Sequence, residues 1–213
     1  MALFVTFEGL DGSGKSTHLE RAARWLSESG VPHVVTREPG GTELGGAIRQ
    51  VFLDRRFQGM DGTIELLLVF ASRRQHLLEV IEPALAAGRH VLCDRFTDST
   101  RAYQGAGRGV AEEVIDRVDL LATGGRCPDR TLLFDLPAVV ARRRGHSAPR
   151  RRSGGVDRLD AEELDFYQRV RDGFLALAAR DPKRFRVIDS LGSLESTAAA
   201  VRAALADLVE PTR

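Results

Sequence analysis

The chain has 213 residues, of which 43% are hydrophobic and 29% charged, and its formal net charge is +1. This length suits one domain with a substantial core, and the composition excludes a disordered or fibrous protein. The balanced charge gives no indication of nucleic-acid or membrane binding.

Short apolar runs alternate with longer helical patterns along the chain, which predicts the order of its strands and helices. The predicted strands are LFVTF, HVVT, HVLCD, TLLFDL and FRVID. The predicted helices span about Lys15 to Ser29, Thr42 to Leu53, Thr63 to Ala87, Glu112 to Thr123, a segment ending at Arg144, Ala161 to Arg180 and Leu194 to Val209. This order predicts an α/β fold, with a five-stranded, mostly parallel sheet and helices on both faces.

A glycine-rich segment joins the first predicted strand to the first predicted helix. Gly9, Gly14, Lys15 and Ser16 satisfy the pattern G-x-x-x-x-G-K-S in the strand and helix context that this motif requires. Its backbone N–H groups and the helix N-terminus favour phosphate, while the lysine reaches the β and γ phosphates and the serine hydroxyl suits Mg²⁺. The sequence therefore predicts a nucleotide-binding loop formed by Gly9, Leu10, Asp11, Gly12, Ser13, Gly14, Lys15, Ser16 and Thr17.

The phosphate loop does not by itself distinguish a kinase from a GTPase switch or a mechanical ATPase. The chain contains no asparagine, so it lacks the N-K-x-D guanine-reading motif, which disfavours a GTPase. A regulatory P-loop protein and a kinase acting on another nucleoside or nucleotide remain as alternatives.

Two further segments carry side chains suited to a phosphorylated acceptor. TREPGGT follows the second strand at the carboxyl edge of the sheet, where Arg37 either contacts a phosphate or belongs to a plain turn. In LLLVFASRRQ, Phe70 and Arg73 lie three residues apart on one helix face. They suit either the stacking and edge recognition of a base or a core phenylalanine beside a surface arginine.

The third strand, HVLCD, ends in a polar segment that we expect to be a loop. Asp94 suits the Mg²⁺ shell and Arg95 a bidentate grip on the acceptor phosphate, while the alternative is a structural ion pair between them. Tyr103 suits contact with a sugar and detection of its 2′ hydroxyl. Ser99, Thr100 and Gln104 lie in the same segment.

An arginine-rich stretch runs from Arg142 to Arg158, with seven arginines and one acidic residue among glycines, serines and a proline. It is either a solvated basic loop or a lid that brings positive charge to the transferred phosphoryl group and excludes water.

The sequence begins without a basic leader followed by a long apolar segment, and no window approaches the ~20 apolar residues of a membrane span. Cys93 and Cys127 lack the spacing of a disulfide framework. We therefore expect a cytoplasmic protein.

Taken in order, EGLDGSGKST, TREPGGT, FASRRQ, DRF with STRAYQG, and DRL resemble the bacterial thymidylate kinase family from about Ala2 to Phe174. The resemblance implies a nucleoside monophosphate kinase fold that passes the γ-phosphate of ATP to dTMP with Mg²⁺, usually as a homodimer.

The resemblance also implies roles for individual residues. Asp11 would contact the sugar and phosphate region of dTMP, Arg37 and Arg95 would hold the monophosphate, and Phe70 would stack on thymine. Arg73 would read the base edge, Ser99, Thr100 and Gln104 would line the base pocket, and Tyr103 would disfavour ribose. Lys15 and Arg95 would be catalytic.

Some family members carry an arginine inside the phosphate loop, where this chain has Gly12 and Ser13. The missing charge is then expected from the lid, on Arg150, Arg151 or Arg152, among which we choose Arg151.

Overall fold

The computed structural model describes residues 1–147, 158–159 and 162–209. Five strands form one sheet whose neighbouring strands are all parallel, in the order β2, β3, β1, β4, β5. The strands are β1 (Phe4–Gly9), β2 (His33–Arg37), β3 (His90–Asp94), β4 (Arg130–Asp135) and β5 (Phe185–Asp189). The predicted α/β fold with a parallel sheet surrounded by helices is confirmed.

The helices follow the strands in alternation. They are α1 (Lys15–Glu28), α2 (Glu43–Leu53), α3 (Gly62–His76), α4 (Glu82–Ala86), α5 (Thr97–Thr100), α6 (Glu112–Thr123), α7 (Ala138–Ser147), α8 (Leu164–Arg180) and α9 (Leu194–Ala204). Short 3₁₀ turns lie at Arg55–Phe57 and Ala206–Leu208, and π-helical turns at Leu77–Ile81 and Arg101–Gly107. Within the described residues, no helix combines the length and the apolar character needed to cross a membrane.

The central strand β1 explains why the phosphate loop occupies a fixed position. All six residues of β1 are buried, because neighbouring strands pair with it on both sides and helices cover it. Its register pairs Phe7 with Asp94 of β3 and Gly9 with Phe134 of β4. The loop after Gly9 therefore emerges beside the carboxyl ends of both neighbouring strands.

Local capping explains where two of the helices begin. Thr42 caps α2 by accepting a hydrogen bond from the Gly45 N–H, and Ser193 caps α9 by accepting one from the Ser196 N–H. A hydroxyl at this position satisfies one of the N–H groups that have no partner within the helix.

The predicted loop after Asp94 was wrong beyond Phe96, since residues 97–107 are helical. The four residues of α5 are polar yet buried. Asp98, for example, accepts hydrogen bonds from Thr131 on β4 and Arg184 beside β5. Partners so distant in sequence stabilise a buried polar helix that the local pattern does not reveal.

The expected helix from Thr63 to Ala87 was also wrong as one uninterrupted α-helix, because a π-helical turn at Leu77–Ile81 separates α3 from α4. The first part of the expected lid, residues 142–147, continues α7. Residues 148–157, which include Arg150, Arg151 and Arg152, lie outside the described residues.

Candidate active site

The phosphate loop follows β1 in a conformation that requires glycine at two points. Gly9 has φ 137°, and a Cβ there would lie 2.5 Å from the Phe134 carbonyl oxygen. Gly12 has φ 83°, and a Cβ there would lie 2.2 Å from the Ala141 carbonyl oxygen of α7. The loop is thus packed closely between β4 and the helix that leads into the arginine-rich stretch.

Lys15 is the first residue of α1 and is almost fully buried against the loop. Its Nζ donates to the Leu10 carbonyl oxygen and to Asp11 Oδ1, both at 3.3 Å. The neighbouring Ser16 and Thr17 are exposed. The ammonium group and the N-terminus of α1 therefore lie together, as a bound polyphosphate requires.

Ser16 and Asp94 meet across the β1–β3 edge. The Ser16 hydroxyl donates to Asp94 Oδ2 at 2.6 Å. Asp94 Oδ1 is buried and has no hydrogen-bond partner among the described residues. An acidic oxygen without a partner, next to a hydroxyl at a phosphate loop, fits a hard cation such as Mg²⁺. The described part of the chain contains no cluster of three or more His, Cys, Asp or Glu side chains that could hold a metal. A Mg²⁺ site does not need such a cluster, because this ion commonly takes only one or two carboxylates and completes its shell with substrate phosphates and water.

Arg95 links the phosphate loop to the polar segment after β3. It is the one non-glycine residue with positive φ in the described ranges, at 75°, and this backbone conformation is costly for a residue with a Cβ. Its guanidinium donates to Asp11 Oδ1 and to Ser99 Oγ, both at 2.8 Å, and to the Tyr103 hydroxyl at 3.3 Å. The alternative ion pair with Asp94 is not formed, since Arg95 pairs with Asp11.

Asp11 is held as a carboxylate by this arrangement. Burial raises the pKa of Asp11, but the positive charges of Arg95 and Lys15 outweigh it and hold that pKa well below its usual range. One carboxylate therefore contacts both cationic groups that the sequence predicts to be catalytic.

Glu8 supports the same segment from inside the sheet. Its carboxyl oxygens accept from the Phe96 N–H at 2.7 Å and from the Ser99 hydroxyl at 2.5 Å. Burial, followed by repulsion from Asp98, raises the pKa of Glu8 to about 8. Sequence reasoning missed Glu8, although an acidic residue inside a buried strand is a signal that could have found it.

A cavity opens beside Arg95 between α2, α3 and the segment after β3. Its polar wall is formed by Asp11, Glu38, Arg49, Arg73, Arg95, Ser99, Thr100, Tyr103 and Gln104. Its apolar wall is formed by Pro39, Phe52, Leu53, Val69, Phe96 and Leu159. A lining that combines charged, hydrogen-bonding and apolar groups suits a ligand that carries both a phosphate and a planar ring.

Arg73 is buried in this wall, at 2% exposure, rather than extended to solvent. Its Nε donates to Glu38 Oε2 at 2.6 Å and its Nη2 to Thr100 Oγ1 at 3.1 Å. Its Nη1 has no hydrogen-bond partner among the described residues. An unused N–H of a fixed guanidinium can donate to a ligand carbonyl.

Gln104 is fixed by a second buried carboxylate. Its Nε2 donates to Glu65 Oε2 at 2.7 Å, while Glu65 Oε1 accepts from Arg108 at 3.0 Å and Arg158 at 2.5 Å. The Gln104 carbonyl oxygen is therefore held in a defined orientation at the cavity wall.

Most of the predicted acceptor residues come together at the cavity, with two exceptions, Phe70 and Arg37. Phe70 lies in the core cluster between α2, α3 and α6 and is not among the residues that line the cavity. Arg37 is exposed at the end of β2, outside the lining but close enough to influence Arg49 electrostatically. Arg151 lies outside the described residues.

Arg49 is the main cavity residue that the sequence prediction missed. It donates to the Pro39 carbonyl oxygen at 3.0 Å. Burial, followed by the nearby charges of Arg37 and Arg95, lowers its pKa. Since these arginines concentrate positive charge at one end of the cavity, that end favours an anion.

Known proteins resemble this chain over nearly its full length. The family model for thymidylate kinase matches residues 7–201. A thymidylate kinase from Geobacter sulfurreducens is 48% identical over 202 residues, which cover 94% of this chain and 95% of that protein. One from Ectopseudomonas mendocina is 47% identical over 211 residues, covering 99% and 98%.

A solved structure of similar fold is that of thymidylate kinase from Ehrlichia chaffeensis. It superimposes with a TM-score of 0.76 at 36% identity and covers 96% of this chain and 98% of that chain. The family match, the sequence identities and the shared fold agree with the phosphate loop and the neighbouring cavity. The chain belongs to the thymidylate kinase family.

Proposed function

We propose that the protein transfers the γ-phosphoryl group of ATP to the phosphate of dTMP, giving ADP and dTDP on the route to dTTP. The observation that carries this proposal is the Asp11 and Arg95 pair, which joins the phosphate loop to the cavity at a distance of 2.8 Å. Donor and acceptor phosphates bound on either side of this pair would approach each other. Positioning and charge neutralisation are the main sources of catalysis in phosphoryl transfer.

On the donor side, the backbone of Gly9 to Thr17 would hold the ATP phosphates, and Lys15 would neutralise charge on the β and γ phosphates. Ser16 and Asp94 would hold Mg²⁺, directly or through water. When bound, this ion would neutralise charge on the donor phosphates. The unpaired Asp94 Oδ1 supports this assignment.

On the acceptor side, Arg95 would hold the dTMP phosphate, with Arg49 and Arg37 adding positive charge at that end. Tyr103, fixed by its hydrogen bond with Arg95, would pack against the deoxyribose and leave no room for a 2′ hydroxyl. The base edge would meet the hydrogen-bonding groups of Arg73, Ser99, Thr100 and Gln104. Buried glutamates fix three of these side chains, since Glu38 binds Arg73, Glu8 binds Ser99 and Glu65 binds Gln104.

The remaining positive charge would come from the lid at residues 142–158 of a single kinase domain, with Arg151 as the catalytic arginine. The close contact of α7 with Gly12 supports the proposal, because the lid begins directly over the phosphate loop. Its closure would exclude water as a competing acceptor.

An acceptor panel tests this function directly. ADP formation is measured with ATP and Mg²⁺ and with dTMP, dUMP, UMP, CMP, dGMP or thymidine as the acceptor. We expect the highest kcat/KM with dTMP. Thymidine lacks the phosphate that Arg95 would hold, and UMP and CMP carry the 2′ hydroxyl that Tyr103 would exclude. A clear preference for any other acceptor would refute the proposal, and ATP hydrolysis unaffected by all acceptors would favour a regulatory P-loop protein.

We also propose a homodimer whose interface includes the exposed side of α3. Ile64, Leu67 and Leu78 are 51%, 55% and 53% exposed and form a stripe with Ala71 along α3 and its extension. The adjacent α6 adds the exposed Leu120 and Leu121. Several exposed apolar side chains on one helix face suit burial against a second copy of the chain.

The dimer is tested with Leu67→Asp, which we expect to reduce the mass measured by analytical ultracentrifugation to that of a monomer. A carboxylate at the centre of a two-fold interface is removed from water and lies near the same carboxylate of the second copy, and both effects destabilise the dimer. The matched control is Leu194→Asp, because Leu194 is similarly exposed on α9, which packs against α1 and β5. A dimeric Leu67→Asp variant, or a monomeric wild-type protein, would contradict this assignment.

We place the reaction in the cytoplasm. Cys93 and Cys127 are both free, which suits a reducing compartment. Small nucleotides are the only partners proposed besides the second copy of the chain.

A further inference from the structure

We propose that Phe52 of α2, held by Arg158, supplies the aromatic face on which the acceptor base stacks. This inference rests on the proposed function, because it concerns the base of dTMP within the same cavity. It gives Phe52 the stacking role that the family resemblance gives Phe70.

The turn of α3 separates Phe70 from the cavity. Val69 lines the cavity, and the next residue along an α-helix points about 100° away. Phe70 is 2% exposed and packs in the core with Leu66, Ile115 and Ala122. The Arg73 guanidinium lies over its ring, with Cζ 4.6 Å from the ring centroid. A base in the cavity therefore meets the aliphatic Val69 from α3 and no ring of that helix.

Phe52 is the aromatic residue that α2 contributes to the apolar wall. It lines the cavity beside Leu53, and it is 4% exposed. Phe96, the other phenylalanine in the lining, packs against Phe4 edge to face and against the Arg73 guanidinium. Phe52 belongs to the same core cluster as Phe70 but, unlike Phe70, it also lines the cavity, and it makes no aromatic pair among the described residues. It is therefore the ring of this cluster that a planar base in the cavity would contact.

Arg158 fixes the position of Phe52 through both its backbone and its side chain. The Arg158 N–H donates to the Leu53 carbonyl oxygen and its Nε to the Phe52 carbonyl oxygen, both at 3.1 Å. Its Cζ lies 5.1 Å from the centroid of the Phe52 ring. Arg158 itself is buried and paired with Glu65 at 2.5 Å. It acts as a positioning residue, because its contacts are with the ring that would meet the base.

Glu65 connects the Phe52 ring, through Arg158, to Gln104, which would contact the base edge. The same carboxylate that holds Arg158 also accepts from Gln104 at 2.7 Å. The stacking face and the amide at the base edge are therefore set by one buried charge. A pyrimidine base fits this arrangement because it has both a planar face and hydrogen-bonding edges.

The test compares Phe52→Leu with the matched control Phe70→Leu. Each removes one aromatic ring from neighbouring helices and leaves an apolar side chain. For Phe52→Leu we expect roughly a tenfold increase in the Kd for dTMP, measured by titration calorimetry, and a similar increase in the KM for dTMP, because the base loses its aromatic stacking partner. We expect the KM for ATP to stay within about twofold, because Lys15 and the phosphate loop are untouched.

For Phe70→Leu we expect a lower Tm, from a core cavity, with a Kd for dTMP within about twofold of wild type. The opposite pattern, weak dTMP binding in Phe70→Leu and normal binding in Phe52→Leu, would overturn the inference. If Phe52→Leu does not fold, Phe52→Met fills similar volume without a ring and gives the same comparison. A wild-type protein that does not phosphorylate dTMP would refute the proposed function instead, so the two failures are distinguishable.

Discussion

Replacing Lys15 by alanine is expected to lower kcat for dTMP phosphorylation by about 10²- to 10³-fold. Lys15 is the cationic side chain of the phosphate loop and lies at the N-terminus of α1. A single preorganised group that stabilises developing charge is commonly worth about 3–4 kcal/mol in the transition state. The effect should appear in kcat as well as in kcat/KM, because the charge on the transferred group is redistributed as the reaction proceeds.

The matched control is Lys183→Ala, because Lys183 is the only other lysine in the chain and is exposed before β5. We expect wild-type kcat and KM values for that variant. Both proteins should retain the wild-type melting profile, since Lys15 makes only two long hydrogen bonds of 3.3 Å. Turnover near the wild-type rate in Lys15→Ala would contradict the role of this residue.

Replacing Arg95 by alanine is expected to lower kcat/KM for dTMP by about 10²-fold or more. Arg95 is largely buried and hydrogen-bonded to Asp11, Ser99 and Tyr103. Truncating one partner of a buried charged pair typically costs about 2–5 kcal/mol. Part of this cost comes from the groups that remain buried without a hydrogen-bond partner. The backbone strain is unchanged, because alanine also carries a Cβ at the positive φ of this position.

Arg101→Ala is the matched control for Arg95→Ala. Arg101 lies six residues further along the same segment but pairs with Asp116 and Asp119 and does not line the cavity. We expect it to retain dTMP kinetics, while in Arg95→Ala the KM for ATP should change much less than the KM for dTMP. Equal losses for the two variants would indicate a general effect on the segment after β3 rather than contact with the acceptor.

Features set by neighbouring residues could be predicted from the sequence. The short apolar runs identified all five strands. The signal is clearest in the inner strands β1, β3 and β4, because a strand buried on both faces is nearly continuously apolar. The phosphate loop could be predicted because Gly9, Gly14, Lys15 and Ser16 belong to one short segment, in which both glycines have positive φ. The meeting of Ser16 with Asp94 also follows from the sheet, since the carboxyl ends of β1 and β3 are adjacent.

Features set by distant partners could not be predicted in the same way. Residues 97–107 contain few apolar residues, so their helical structure depends on Glu8, Thr131 and Arg184, which are remote in sequence. Arg49 lies in no recognisable motif, and only the packing of α2 brings it to the cavity. The orientation of Phe70 was equally hidden, because LLLVF is apolar throughout and does not show which residue of α3 faces a ligand.

The packing of α7 on Gly12 limits how this enzyme can change during evolution. A side chain at position 12 would collide with the backbone of α7 at Ala141 and Gly145, so an arginine cannot be introduced there by one substitution while α7 keeps its place. Moving the proposed lid arginine to position 12 would therefore also require a compensating change in α7. The residue type allowed at position 12 of the loop is thus decided by the place of α7 as well as by the loop itself.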